Sequence, residues 1–138
     1  SKIYIQTLQA IYPDLIVYGL SGSQTIQQAI LHGQPFANEV FADRTYQNSG
    51  QLTPRYLDNA LIYDEKEACN QVLKMIFEKK VNTIQGDEIQ IEANTICIHG
   101  DGLNALPIAS AIHSCLKENK IERVNERVNK RKSERLPC

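Results

Sequence analysis

Charged side chains gather at two places where a short apolar run of the sequence ends. One is Glu39–Arg44 and the other is His99–Asp101. If the first run is a strand, side-chain alternation puts Glu39 and Asp43 on the same side of it. Two carboxylates near a strand end can divide acid and base work when their surroundings separate their pKa values. A histidine beside a carboxylate suits proton transfer or metal binding. These two places are therefore the first candidates for a catalytic site.

Two arginines and two serines extend this candidate site. Arg44 can bind an anionic substrate group through a two-pronged hydrogen bond, or it can form a structural ion pair with an aspartate. Arg55 lies in a long polar segment and can close over the site. Ser21 and Ser23 follow a third apolar run, where the N–H groups at a helix start can hold an anion. The alternative for these serines is turn formation and helix capping alone.

The spacing of apolar residues predicts alternating helices and strands. The predicted order is a helix over 3–12, a strand over 15–18, a helix from Ser23 to about Leu31, a strand over 36–41, a polar loop over 43–59, a helix begun by Asp64, a hairpin over 81–92, a strand over 95–99 and a helix over about 104–117. This alternation is typical of a parallel sheet with flanking helices. Ligands bind at the carboxyl ends of such strands, so we expect the charged groups to converge there.

Local signals mark several element ends. Ser23 is typical of a helix N-cap, and Gly33 stands where a C-terminal glycine is expected. Asp64 and Glu67 have the spacing of a capping box. Gly86-Asp87 separates two alternating runs, which predicts a small hairpin.

Composition excludes several classes of protein. The formal net charge is −1, so the chain has no overall electrostatic attraction for nucleic acid or a membrane surface. No apolar run reaches the length of a membrane-spanning helix. The four cysteines include no C-x-x-C pair, which favours a reduced, cytoplasmic protein over a disulfide-stapled one. We assign no metal ligands, because zinc-site spacings are absent from the sequence.

Nucleotide-binding motifs are absent or incomplete. The sequence contains no G-x-x-x-x-G-K-[ST] string and so no P-loop for ATP. Residues 100–105 match the spacing of a dinucleotide-binding turn, but the acidic residue required about 20 positions later falls in a charged tail. We therefore interpret that match as chance.

The chain ends in a basic tail. From Lys117 onwards, eight basic and four acidic residues give a net charge of +4. Such a segment can contact nucleic acid or an acidic partner, but no aromatic residues are interleaved with its charges. We expect residues 122–138 to be a solvated, frayed or disordered tail, and we predict no nucleic-acid partner.

Several strings in the sequence resemble the 5-oxoprolinase A-subunit family, also called LamB/YcsF. The resemblance extends from about Tyr12 to Ile121, and the E-V-F-A-D-R-x-Y and I-C-x-H-G-D strings are its most specific parts. It is carried by residues Tyr12–Leu15, Tyr18–Ser23, Glu39–Tyr46, Gly50, Leu52, Pro54-Arg55 and Thr95–Asp101.

This resemblance implies a fold and a reaction. The implied fold is a β/α barrel of the glycoside hydrolase and deacetylase type. The implied activity opens the lactam ring of 5-oxoproline (pyroglutamate) to L-glutamate with ATP hydrolysis, alongside partner subunits B and C. A complete β/α barrel needs roughly 200 residues or more, and this chain supplies about three strands. Residues 1–121 are therefore expected to be the C-terminal half of such a barrel.

The resemblance also suggests roles for the candidate residues. Asp43 or His99 is the general base, and Asp101 orients His99 or a ligand. Arg44 and Arg55 bind the substrate carboxylate, supported by Glu39. ATP is expected to be bound with or by the partner subunits.

Two other functions remain open at this stage. One is a non-catalytic half barrel that binds partner subunits or a second copy of itself. The other is a metal-dependent, deacetylase-like hydrolase, suggested by the related fold alone.

Overall fold

The computed structural model describes residues 1–102 and 104–122. Most of the tail predicted over 122–138 thus lies outside the described residues. The elements are, in chain order, α1 (Lys2–Ile11), β1 (Val17–Leu20), α2 (Gln24–His32), β2 (Phe36–Phe41), α3 (Glu65–Phe77), β3 (Lys80–Asn82), β4 (Glu88–Gln90), β5 (Thr95–Cys97) and α4 (Ala105–Glu118).

Three strands form a parallel sheet in the order β1-β2-β5, which confirms the predicted α/β architecture. Strand β1 begins two residues later than predicted. Val17 pairs with Phe36, the first residue of β2, so residues before Val17 have no neighbouring strand to bond. The carbonyl of Leu15 instead accepts a hydrogen bond from the buried side chain of Gln34 (2.5 Å).

The predicted hairpin is present as an antiparallel pair of β3 and β4. Its turn contains Gly86 at φ 91°, a left-handed conformation in which a glycine avoids the Cβ clash. The hairpin packs beneath the central strand through Val81 and Ile91.

Helix ends follow the predicted caps. The Ser23 hydroxyl accepts from the N–H of Ile26 at the start of α2, and Gly33 ends that helix at φ 66°. Asp64 accepts from the N–H of Glu67 at the start of α3 (2.7 Å). Among the described residues, no bond returns from the Glu67 side chain, so only half of the predicted capping box forms.

The core lies between the sheet and its helices in three clusters. The first joins α3 and α4, the second fills the space between β2 and the hairpin, and the third is a small cluster under α1 and α2. Their buried members are, respectively, Ala42, Ile62, Ala68, Val72, Ile108 and Ile112; Val40, Tyr46, Met75, Val81 and Ile91; and Ile5, Val17 and Ala29.

This packing fixes the face of β2 that carries chemistry. Val40 and Ala42 point into the helical layers. Alternation then directs Glu39, Phe41 and Asp43 to the opposite face of the sheet, which in a barrel is the interior.

A helix that crosses a bilayer must be both long and apolar. Across residues 1–102 and 104–122, no helix meets these two conditions.

Candidate active site

Asp43 and His99 form a tightly bonded pair just beyond the ends of β2 and β5. The Nδ1 atom of His99 lies 3.0 Å from Oδ1 and 2.9 Å from Oδ2 of Asp43. The backbone N–H of His99 also donates to Oδ2 of Asp43 (3.0 Å). The carboxylate therefore fixes both the main chain and the ring of His99.

Strand register brings these two residues together. Phe41 pairs with Cys97 at the end of the parallel ladder, and the N–H of Ala42 donates to the carbonyl of Cys97. Asp43 and His99 each lie two residues further on, so they meet at the same edge of the sheet. Strand β5 ends at Cys97, short of the predicted His99, because the His99 N–H bonds the carboxylate and not a neighbouring strand.

The ring of His99 is also held from its side. It stacks on Phe41 with ring centroids 5.4 Å apart and an interplanar angle of 20°. About 24% of the His99 side chain is exposed, against 10% for Asp43. Nε2 has no hydrogen-bond partner within the described chain. When Nδ1–H donates to the carboxylate, the Nε2 lone pair is available to accept a proton.

Gln71 of α3 secures the end of β2. Its side-chain nitrogen donates to the carbonyls of Phe41 (3.0 Å) and Arg44 (2.9 Å), with a longer contact to Ala42 (3.4 Å). Sequence analysis missed this residue. The available signal was a polar residue three positions after Ala68 and four before Met75, within an otherwise apolar stripe.

Tyr46 is a second missed residue. It is fully buried, and its hydroxyl accepts a hydrogen bond from the N–H of Phe41 (2.8 Å). Burial raises the pKa of the Tyr46 phenol well above its ordinary value. Tyr46 therefore supports, in its neutral form, the strand end that carries Asp43.

Arg44 is buried and holds the long loop. Its guanidinium donates to the carbonyls of Thr53 (2.7 Å) and Ala60 (3.3 Å). Burial lowers the pKa of Arg44, and the nearby charge of Arg55 lowers it further. No ion pair joins Asp43 to Arg44 among the described residues. In this conformation Arg44 orders the loop over 43–62 instead of facing the site, so its predicted substrate contact would need a rearrangement.

The loop that was predicted only as a polar stretch is thus well bonded. Isolated β-bridges pair the backbone of Tyr46 with Leu52 and with Thr83, and the backbone of Arg44 with Leu61. The Thr45 hydroxyl contacts the Thr53 hydroxyl at 2.8 Å. Arg55 lies within this loop, and its side chain reaches Asp101, which follows the end of β5.

Arg55 and Asp101 pair with each other. Nη1 of Arg55 lies 3.5 Å from Oδ2 of Asp101, and the two side chains are 52% and 72% exposed. Such exposed pairs contribute about 0–1 kcal/mol, so Arg55 can exchange this partner for another anion. Asp43, rather than Asp101, orients the His99 ring.

Glu39 and Cys97 share the interior face below the pair. Glu39 is half-buried and has no hydrogen-bond partner within the described residues. Burial raises the pKa of the Cys97 thiol, with smaller effects of the Glu39 and Asp43 carboxylates. The Cys97 thiol therefore favours its neutral form, and Glu39 presents a carboxylate to the interior.

Ser21 and Ser23 have structural partners. The Ser21 hydroxyl accepts from the N–H of Glu92 (2.9 Å), and the Ser23 hydroxyl caps α2. Both contacts correspond to the capping and turn alternative, and binding of substrate by these serines stays a prediction.

Other features of the surface do not include the pair. A groove of about 530 Å³ lies along α3 and residues Val81–Ile84 and contains neither Asp43 nor His99. Residues 1–102 and 104–122 hold no group of three or more His, Cys, Asp or Glu side chains arranged to bind a metal ion. We place the candidate site at the Asp43–His99 pair because a histidine bonded to a carboxylate can transfer a proton.

Parallel strands with flanking helices, and an Asp–His pair at the strand carboxyl ends, are typical of part of a β/α barrel. The LamB/YcsF family model matches residues 1–131. The chain therefore belongs to the LamB/YcsF family.

Individual relatives agree with this membership. The chain is 46% identical over 121 residues to the 5-oxoprolinase A-subunit of Geobacillus thermodenitrificans, covering 88% of this chain and 47% of that protein. It is 50% identical over 109 residues to the protein of the same name from Shouchella clausii, covering 79% and 43%. The chain thus spans about half the length of the curated relatives it matches.

A solved structure shows the same architecture. The lactam utilization protein from Thermus thermophilus superimposes with a TM-score of 0.78 at 32% identity, covering 88% of this chain and 48% of that one. The predicted partial barrel is confirmed.

Proposed function

We propose that this chain supplies the Asp–His part of the active site of a 5-oxoprolinase A-subunit, which opens the lactam of 5-oxo-L-proline to L-glutamate. The observation that carries the proposal is the bond between His99 Nδ1 and Asp43 (2.9 Å), which leaves Nε2 as a proton acceptor. The names of the relatives support the substrate class.

The pair suits a hydrolytic step at a carbonyl carbon. His99 Nε2 takes a proton from water as its oxygen adds to the ring carbonyl carbon. The imidazolium that forms is stabilised by Asp43. The ring C–N bond then breaks, and the ring nitrogen takes the proton back from the His99 imidazolium to become the amine of glutamate. In this proposal His99 is the general base and Asp43 is its orienting partner.

Substrate recognition is assigned to Arg55, beyond the carboxyl end of β5. 5-Oxoproline carries one carboxylate, and Arg55 is a half-exposed cation close to the end of β5. An arginine fork fits a carboxylate through two parallel hydrogen bonds. Arg55 therefore binds the substrate carboxylate, while Arg44 holds the loop that presents Arg55.

ATP and the partner subunits complete the proposal. An amide is a poor electrophile, so transfer of the γ-phosphoryl group of ATP to the lactam oxygen would activate the ring carbon, with ADP released at the transfer and phosphate released after water has added. The sequence has no P-loop, so ATP is bound with or by subunits B and C. The described cysteines Cys69, Cys97 and Cys115 are free thiols, in keeping with a reaction in the reducing cytoplasm.

The test replaces the matching part of the G. thermodenitrificans A-subunit by this chain and assembles the product with subunits B and C. Glutamate release from 5-oxoproline is then measured with and without ATP. In His99→Gln we expect kcat to fall by about 10²–10⁴, and Asp43→Asn should fall in the same range. His113→Gln, at an exposed position on α4, is the matched control.

Two results would refute the proposal. One is a His99→Gln protein that opens the lactam at the parental rate. The other is a folded, assembled parent that releases no glutamate.

A further inference from the structure

Two thiols meet between the helices that cover the end of β2. Cys69 lies on α3 and Cys115 lies on α4, and both are free and half-buried. The Cys69 thiol forms a side-chain hydrogen bond with the Cys115 thiol. The two residues are far apart in the sequence, so it is the packing of α3 against α4 that brings them together. The proposed function uses neither thiol.

The two helices hold this pair of thiols in place. Cys69 packs against the apolar cluster that α3 and α4 share, and Cys115 lies three positions after a member of that cluster on α4. Residues three apart on a helix lie on the same face. The buried members of the cluster on the two helices are Ala68, Val72, Ile108 and Ile112. Because a close-packed interior resists sliding of one helix past the other, the two sulfur atoms are kept side by side.

We propose that Cys69 and Cys115 form a disulfide that links α3 to α4 when the protein meets a peroxide. One thiol loses its proton, attacks hydrogen peroxide and breaks the O–O bond, which gives a sulfenic acid and one water. The second sulfur then attacks the sulfenic sulfur and displaces a second water. In total the two thiols lose two protons and two electrons, and one hydrogen peroxide is reduced to two waters.

The neighbouring thiol determines the product of oxidation. A sulfenic acid without a second thiol beside it is oxidised further to a sulfinic acid, which is not readily reversed. In the pair, Cys115 is already in contact with Cys69, so ring closure competes with further oxidation. Cys97 lies on the opposite face of the sheet, because its neighbour Ile96 packs against the helical side. The disulfide is therefore specific to Cys69 and Cys115 among the described cysteines.

The surroundings of the pair make its oxidation slow at neutral pH. Burial, followed by the hydrogen bond and the charge of Cys115, raises the pKa of the Cys69 thiol to about 11. The carboxylates of Glu65 and Glu118 act in the same direction. Because the thiolate is the reactive form, the pair reacts faster as the pH rises. At neutral pH the disulfide is thus a response to sustained oxidant.

The disulfide would stabilise the helical layer over the candidate site. It would close the long loop of chain between positions 69 and 115, and the stabilisation by a disulfide increases with loop length. Helix α3 also carries Gln71, which holds the end of β2 next to Asp43. We expect the oxidised chain to unfold at a temperature roughly 5–15 °C higher than the reduced chain.

The test isolates the pair and oxidises it in the folded chain. Cys97→Ser with Cys138→Ser leaves Cys69 and Cys115 as the two remaining cysteines of four. The matched control, Cys69→Ser with Cys138→Ser, leaves Cys97 with Cys115, which lie on opposite sides of the sheet. Both chains and the unsubstituted chain are treated with hydrogen peroxide at pH 7 and pH 9. Remaining thiols are alkylated, and tryptic peptides are read by mass spectrometry before and after reduction.

We expect the tryptic peptides 67–74 and 81–117 to be joined within one chain in the protein that keeps the pair and in the unsubstituted protein. The link should form at least tenfold faster at pH 9 than at pH 7, and dithiothreitol should release it. The control should form no link within the chain. Oxidation of both thiols to sulfinic acids without a link would overturn the proposal, and so would a link that forms only in urea or equally fast in the control. None of these measurements depends on lactam chemistry.

Discussion

At the scale of single residues, the two ring nitrogens of His99 differ in their hydrogen bonding. Nδ1 is held by a carboxylate that also binds the His99 main chain, whereas Nε2 has no hydrogen-bond partner among the described residues. A ring held in this way keeps one tautomer and one orientation, which is what a general base requires. Asp101, two residues further along the chain, pairs with Arg55 instead.

The Arg55–Asp101 pair predicts an opposite sign for two substitutions. If Arg55 binds the substrate carboxylate as proposed, Asp101→Asn removes a competing anion, so the KM for 5-oxoproline should fall by roughly two- to fivefold, the range of an exposed ion pair. Arg55→Ala should raise KM with a smaller effect on kcat. Steady-state kinetics of the assembled enzyme at low salt would measure both. A rise of KM in Asp101→Asn would contradict the exchange of partners.

The buried phenol of Tyr46 predicts a loss of stability at alkaline pH. Burial raises its folded pKa above the unfolded value of about 10. Between these two values the unfolded chain releases the proton and the folded chain keeps it, so the free energy of unfolding decreases as pH rises through 10. Denaturant unfolding between pH 8 and 11 should show a shallower decline for Tyr46→Phe. The exposed Tyr63→Phe is the control, and an identical slope in Tyr46→Phe would exclude the effect.

At the scale of elements, the strand ends depend on side chains from elsewhere in the sequence. The apolar pattern predicted helix α2, strand β2 and the hairpin because their burial follows a regular period. It could not predict where β1 begins, since this depends on where β2 offers a partner. It also could not assign Gln71 or Tyr46, whose bonds to the end of β2 join residues 5 to 30 positions apart.

Gln71 gives the element-scale prediction. Gln71→Met keeps the side-chain volume and removes the donor to the carbonyls of Phe41 and Arg44. The free energy of unfolding should fall by about 1–3 kcal/mol, the cost of unsatisfied buried acceptors. Asn70→Ala, at the exposed neighbouring position, should change it by less than about 0.5 kcal/mol. Urea unfolding of both variants measures the difference. Equal stabilities of Gln71→Met and Asn70→Ala would exclude a stabilising contact of Gln71 with the end of β2.

The candidate site was predictable only in part. The parallel strand order implied that Asp43 and His99 would meet, and they do. The different partners of Asp43 and Asp101 were not predictable, because they depend on loop conformation. The partners of Arg44 were not predictable either. Its neighbours in the sequence give no signal that it binds the carbonyls of Thr53 and Ala60.

At the scale of the whole molecule, the core is unevenly distributed. Two clusters with six and five buried members join α3, α4, the hairpin and the central strand, whereas the cluster under α1 has three. Helix α1 buries only Ile5 fully, while α3 buries Ala68, Val72 and Met75. Local stability follows the number of buried apolar contacts.

This asymmetry predicts the order of local opening. In native-state hydrogen exchange of the free chain, the amides of α1 should exchange fastest among the four described helices, and those of α3 should be among the slowest. Equal protection of α1 and α3 in the free chain would contradict the uneven core.

The strand register of the Asp43–His99 pair has a genetic consequence. Both residues, together with Gln71 and Tyr46 that hold them, are encoded downstream of the codons for α1. A break in the gene ahead of α1 would therefore leave all four of these residues on one transcript.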